Sequence, residues 1–305
     1  VLEILKSVRA VWDPATLLYP SFALPMFSIH DSIMVKDYGV CSGLRVKATS
    51  SGYLVSHDSV FCLNYADYIL GLWFDIESAL RDVRSVFREV IDYLIGYYPS
   101  YGIAVSHLDD IIVFMSIFLS KNTNYHVNTV RWVKRILASY SDPLDIIHSD
   151  LEDVLASISS IQVRELPKAL RYYYSVRGSI IKGGSEDSRL LLEYKGIGPK
   201  TLYSYILHVK LDSSYAPFDV NFEKFLLNLG FRLWSRRPDK RYCRLYTCPT
   251  CPQSSSCSIG VLRSSLGKAL GWLQTVAYIH VKRACRVRAC RECPLRRICI
   301  ARSYS

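Results

Sequence analysis

The chain has 305 residues, half of them hydrophobic and 21% charged, a composition that supports a buried core and excludes a disordered tail or a stapled mini-protein. Its longest central uncharged apolar stretch, Ile111 to Leu119, falls well short of the roughly 20 residues of a membrane span, and the amino terminus lacks the pattern of a secretory signal. The formal charge of +11 is one-sided: residues 231–305 hold 16 Lys and Arg against Asp239 and Glu292, so a soluble, intracellular protein whose C-terminal quarter meets a polyanion, above all nucleic acid, is expected.

Residues 1 to about 74 contain short β-type runs, Ser32 to Lys36, Leu44 to Ala48, Tyr53 to Ser56 and Val60 to Leu63, separated by Gly39, Ser42-Gly43, Ser51-Gly52 and His57-Asp58. They predict an antiparallel sheet. From Asp75, a plausible N-cap, apolar residues recur at helical spacing through Leu94. Further helices are expected from Ser106-Asp109 through Leu119, from Asn128 to Tyr140, after Asp142-Pro143, from Leu151 to Ile158 and from Leu166 to Ile180. Gly183-Gly184 then leads into a helix over Asp187 to Tyr194.

Next comes Lys195-Gly196-Ile197-Gly198-Pro199-Lys200-Thr201, with Pro199 suited to open a helix running to about Val209. The two glycines are expected to supply backbone conformations that other residues resist, and their N–H groups with the helix amino terminus form a natural phosphate cradle. Nineteen residues after Lys200, Asp219 starts another helix, where it can serve as an N-cap.

Eight of the ten cysteines form two runs with one spacing, C-x4-C-x2-C-x5-C: Cys243, Cys248, Cys251, Cys257, then Cys285, Cys290, Cys293, Cys299. Arg follows the first cysteine and Pro the third in both runs, the mark of an internal duplication. Four thiolates this close suit a tetrahedral metal or an iron-sulfur cluster, and spacing alone leaves zinc, iron-sulfur and disulfides open. Cys41 and Cys62 stand alone and read as buried structural thiols.

Residues 191–225 resemble the helix-hairpin-helix DNA glycosylase superfamily, whose signature is L-x-G-(V/I)-G-x-K-T followed, after about 18 to 19 residues, by a P-V-D-x-H helix start. The resemblance implies Lys200 as a Schiff-base nucleophile and Asp219 as the carboxylate that activates it and stabilises charge on the sugar. Phe114 to Asn124 is similar to the segment that 8-oxoguanine glycosylases place after their β domain, which implies that Asn122, with Asn124 nearby, fills the gap left by an extruded base. Trp272 to His280, leading into Cys285 to Cys299, resembles the last helix and cluster loop of endonuclease III, although that family spaces its first two cysteines by six residues. It implies a 4Fe-4S cluster at Cys285, Cys290, Cys293 and Cys299, with Arg286 and Arg288 on a basic DNA-facing loop. The first quartet has no counterpart in the superfamily; its copied spacing suggests a second 4Fe-4S cluster, with zinc as the rival. Asn221 replaces the usual histidine, and Ser204 the cysteine that 8-oxoguanine glycosylases hold against the base.

The whole predicts an α+β protein: a β-rich domain at 1–74, a mostly helical domain at 75–235 carrying the hairpin and the catalytic Asp, and a basic region at 236–305 with two four-cysteine motifs. The expected function is a monomeric base-excision DNA glycosylase with AP-lyase activity on double-stranded DNA at the nucleoid, removing an oxidised base such as 8-oxoguanine. Lys200 must be neutral to attack, and burial beside a helix amino terminus is expected to favour that form. Gly196, Gly198, Thr201, Asn122, Asn124, Asn221, Arg286 and Arg288 are the expected DNA contacts. The rivals are a monofunctional or mismatch- or pyrimidine-specific glycosylase, and a noncatalytic DNA-binding iron-sulfur protein.

Overall fold

The computed structural model describes residues 1–140, 143–148, 158 and 160–301, so the expected helix over Leu151 to Ile158 lies almost wholly outside the described residues. Strand β1 (Leu2–Ser7) is followed by a short helix α1 (Pro14–Leu18), capped by the Asp13 carboxylate on the Thr16 N–H. Strands β2 (Phe27–His30), β3 (Ile33–Lys36), β4 (Arg45–Ala48) and β5 (Gly52–His57) complete an antiparallel sheet of order β1-β5-β4-β3-β2. The fold is α+β, as expected. β1 and β2 are the edge strands: β1 breaks the alternation at Ile4-Leu5, and β2 alternates over only the four residues Phe27–His30, too short a run to mark a strand by itself.

Val60 to Leu63 is not a strand: it opens helix α2 (Val60–Ile69), which buries Cys62, Leu63, Tyr65, Ala66 and Ile69 along one face. Four residues of apolar sequence cannot reveal their period, and here the helical spacing over the longer segment decides. The lone cysteines are joined in a disulfide, Cys41 in the turn after β3 to Cys62 in α2, with Cα atoms 5.4 Å apart. Pairing across 21 residues depends on how α2 folds back over the sheet, which no local pattern records.

Asp75 is the N-cap expected of it, accepting from the Ser78 N–H, but the long helix is broken into α3 (Ile76–Ala79) and α4 (Ser85–Tyr97). Helix α5 (Asp110–Leu119) is buried on all sides, as an all-apolar helix must be. Its N-cap Asp109 pairs at 2.5 Å with Lys36, which is fully buried at the end of β3 and also donates to Ser106 Oγ. This ion pair ties sheet to helical domain. Removing either partner would leave an uncompensated charge in the core.

After a π-turn at Tyr125–Thr129 come α6 (Val130–Ser139), α7 (Pro143–His148) and the long α8 (Ile161–Lys182). Arg177 of α8 grips the buried Asp110 of α5 through Nε and Nη2, at 2.6 and 2.8 Å, while Tyr173 donates to the same carboxylate. The expected helix over Asp187 to Tyr194 is instead a run of 3-10 turns, Ser185–Glu193. Helices α9 (Pro199–His208), α10 (Val220–Asn228), α11 (Lys240–Leu245), α12 (Ser258–Leu266) and α13 (Ala269–His280) follow. No helix of the described residues is long and apolar enough to cross a membrane.

Candidate active site and its two cysteine lobes

The hairpin is anchored by Ile197, which is buried, while Gly196 on one side is exposed and Gly198 on the other is the N-cap of α9. Neither glycine has a positive φ, contrary to the conformational role expected of them; Gly198 sits at φ −118° and ψ 178°. A Cβ on Gly198 would meet nothing within 4 Å, and one on Gly196 would press on the Tyr194 ring at 3.0 Å. At Gly198, then, neither backbone nor packing calls for glycine. What its missing side chain leaves is open approach to the N–H groups at the start of α9, the geometry of an anion cradle.

Lys200 is the second residue of α9, exposed, and among the described residues its side chain makes no ion pair or hydrogen bond. The burial expected for it is absent. Thr201 is turned inward and only 3% exposed, so only its backbone faces the cradle, and Ser204 is buried with its hydroxyl on the Lys200 carbonyl at 2.9 Å.

Asp219 caps α10: its Oδ1 accepts the N–H of Asn221 at 3.0 Å and of Phe222 at 2.8 Å. The two capping bonds hold that oxygen in place at the head of the helix. Asp219 lies within electrostatic range of Tyr278 and Lys282 from the end of α13 and the turn after it. Tyr278 in turn meets the His126 ring nitrogen through its hydroxyl at 3.2 Å, and His126 stacks on Tyr19 with centroids 3.8 Å apart. Burial, and secondarily Lys282, push His126 down to about 4, so this aromatic cluster is uncharged near neutral pH. Tyr19 and His126 carry no sequence signal for this role, since neither belongs to a motif.

Asn122 is exposed and held at φ 50°, where it ends the turn after α5. Asn124 caps the π-turn, accepting from the Val127 N–H. The residue that sequence reading missed is their neighbour Lys121: its amine donates to the Gly196 carbonyl at 2.7 Å and lies over the Phe118 ring at 3.4 Å. Burial holds it down, to about 8. The asparagine turn is thereby pinned to the hairpin.

Each cysteine quartet supports one of the two helices. All eight thiols are free, and the members of each quartet lie within electrostatic range of one another; burial pushes Cys243 and Cys285 up to about 11. Among the described residues no three Cys, His, Asp or Glu side chains close on one metal ion. The second quartet carries Arg286, whose guanidinium donates to the Asn221 side chain at 3.0 Å, at the head of α10. Arg288 is exposed on the same loop at φ 55°. His280 sets its Nε2 3.4 Å from Cys293 Sγ, and the backbone of Leu295 and Arg296 also bonds to that sulfur. The first quartet instead faces α9, where the buried Tyr203 hydroxyl lies 3.2 Å from Cys243 Sγ and 3.8 Å from Cys248 Sγ.

This geometry is similar over nearly its whole length to solved DNA glycosylases. The 3-methyladenine DNA glycosylase from Archaeoglobus fulgidus matches with a TM-score of 0.66 and 10% identity, over 93% of this chain and 99% of that one. The 8-oxoguanine glycosylase/lyase of Clostridium acetobutylicum, bound to duplex DNA with cytosine opposite 8-oxoguanine, matches at 0.65 and 12% identity, over 92% and 98%. MBOgg1, in complex with a low-affinity DNA ligand, gives 0.64 and 13%, over 92% and 94%. No family model matches the sequence, and no curated protein does either. The chain has the fold of the helix-hairpin-helix DNA glycosylases. Within it, this chain resembles both the 8-oxoguanine and the 3-methyladenine branches.

Proposed function

We propose that this protein is a base-excision DNA glycosylase with AP-lyase activity. The observation that carries the reading is the free, exposed amine of Lys200 at the mouth of a hairpin cradle, on a glycosylase fold in which Asp219 caps the following helix. Phosphates of the damaged strand dock on the open N–H groups beside Gly198, and the basic C-terminal loop with Arg286 and Arg288 adds sequence-independent affinity. The damaged nucleotide leaves the stack, Asn122 enters the gap beside the hairpin, and the base lies against Tyr19, His126 and Tyr278.

Lys200 attacks C1′ as the bond to the base breaks, and the ionised Asp219 stabilises the positive charge that grows on the sugar. The departing base takes a proton, the sugar ring opens to a Schiff base on Lys200, and β-elimination then breaks the strand at the 3′ phosphate. Because Lys200 is exposed in the free protein, its desolvation comes from the bound DNA. An uncharged aromatic wall accepts an oxidised purine such as 8-oxoguanine by stacking.

The second quartet fits a 4Fe-4S cluster: four free thiols, with backbone N–H groups and a histidine directed at sulfur. Bound there, the cluster supplies structural cross-linking of the basic loop; Arg286 then holds Asn221 and with it the capped start of α10.

The test is borohydride trapping on duplexes carrying 8-oxoguanine, an alkylated purine, thymine glycol, uracil or an abasic site. A covalent adduct lost in Lys200→Ala supports the lysine mechanism, and the best-trapped lesion names the substrate. Base release with no adduct on any duplex replaces it with attack by water, and neither release nor adduct replaces it with a noncatalytic DNA-binding protein.

A further inference from the structure

The first quartet does not face the basic loop; it faces the hairpin. Cys243 lies in α11, and that helix is fastened to the hairpin at both ends. Lys240 Nζ donates to the Tyr194 carbonyl at 2.7 Å, and Arg244 forms a two-pronged pair with Glu193 at 2.9 and 2.5 Å. The two partners lie two and three residues before Gly196. From the other side Tyr203, one turn beyond Lys200 on α9, buries its hydroxyl against Cys243 and Cys248. The lobe therefore touches both arms of the helix-hairpin-helix.

Two features mark this lobe as a site for an anionic metal centre rather than a set of core thiols. A buried phenol whose hydrogen-bond partners are both sulfur is the arrangement of a donor to metal-bound thiolate. Arg263, stacked 4.3 Å over Tyr215, donates from Nε to Ser214 Oγ and acts electrostatically on Cys248, and its buried Nη1 has no hydrogen-bond partner among the described residues. Tyr215 stacks on Tyr203, which completes the wall. The four thiols lie within electrostatic range of one another, and their C-x4-C-x2-C-x5-C spacing repeats that of the Cys285 to Cys299 quartet.

We propose that Cys243, Cys248, Cys251 and Cys257 hold a second 4Fe-4S cluster, and that this centre clamps the hairpin and the Lys200 helix as the Cys285 to Cys299 quartet braces the Asp219 helix. Four thiolates on an oxidised cube leave about −2, which Arg263 offsets from inside and the surrounding basic residues from outside. The clamp half of this inference rests on the hairpin being the DNA-docking element, but its readouts need no turnover.

The experiment is anaerobic purification of the whole chain with iron, sulfide and zinc analysis, beside Cys248→Ser/Cys251→Ser and Cys290→Ser/Cys293→Ser. About eight irons in wild type, falling to about four in each double variant, is expected. About four irons in wild type, lost only from the second quartet, or one zinc in the first, overturns the assignment. Tyr203→Phe keeps the fold and tests the contact even if the cysteine variants do not fold: one of two reduction potentials should move to a more negative value as a sulfur loses its donor, and two unshifted potentials would refute it. Arg244→Met should leave the iron content unchanged while amide exchange across residues 193–200 rises at least about tenfold. Unchanged exchange there removes the clamp. All three readouts are independent of whether the protein excises any base.

Discussion

The amine of Lys121 donates to the carbonyl of Gly196 at 2.7 Å, across 75 residues of sequence, and so ties the asparagine turn to the hairpin. That bond links the turn of the residue proposed to fill the duplex to the residues proposed to hold its backbone. Lys121→Met should keep the packing on Phe118 yet lose the bond. Its expected effect is a loss of about tenfold in single-turnover excision, near 1.4 kcal/mol, with little change in thermal stability. A variant as fast as wild type would show that the turn is held by other means.

Asp219 caps α10 and is proposed to stabilise charge on the sugar, and substitution can separate the two. Asn caps a helix about as well as Asp, so Asp219→Asn should melt with wild type, while Asp219→Ala should lose about 1 kcal/mol as the N–H groups of Asn221 and Phe222 lose their acceptor. Both should lower excision by at least about a hundredfold, because the charge is gone in each. Calorimetry beside single-turnover kinetics reads both.

Gly198 is open on the protein side and has an ordinary φ. Gly198→Ala should therefore alter stability by no more than about 0.5 kcal/mol, since the entropy gained from a stiffer unfolded chain offsets the poorer cap. Affinity for undamaged duplex, measured by anisotropy at fixed salt, should nonetheless fall, because the new methyl occupies the approach to the cradle. Unchanged affinity would place the phosphate elsewhere.

Buried His208 bonds the Ser204 carbonyl, and desolvation pushes it down to about 4. Its folded value is below its unfolded value, so the unfolded chain binds the extra proton between about pH 6.5 and 4. Stability is consequently lost as the pH falls through that window, by on the order of 3 kcal/mol from this residue. Denaturation at pH 7 and pH 4.5 should show a smaller difference in His208→Gln than in wild type.

The Cys41–Cys62 disulfide closes a loop with a sequence separation of 21 residues. Replacing both by Ala should cost about 3 kcal/mol, largely through freedom restored to the unfolded chain. Excision by the variant at moderate temperature should persist, since the bond joins sheet to α2 away from the hairpin. Equal melting of the variant and the oxidised wild type would mean that the bond contributes nothing.

By itself the sequence determined the local, periodic and chemically distinctive parts. The α+β order, the Gly196 to Thr201 hairpin, Asp219 as a helix start and the repeated cysteine spacing are all set by residues close together in the chain, where capping, turn chemistry and ligand bite leave a readable pattern. Short apolar runs were ambiguous, and Val60 to Leu63 became helix because burial over the whole α2 segment outweighs four residues of β character. Only the tertiary structure decided which distant groups meet: Lys36 with Asp109, Lys121 with Gly196, Cys41 with Cys62, and Tyr203 with Cys243 and Cys248. It also decided that neither hairpin glycine adopts a positive φ, that Gly198 is open on the protein side, and that Lys200 stands exposed. Those relationships arise when elements pack, and packing energy depends on complementary surfaces summed over the fold, which leaves no signature at any one position.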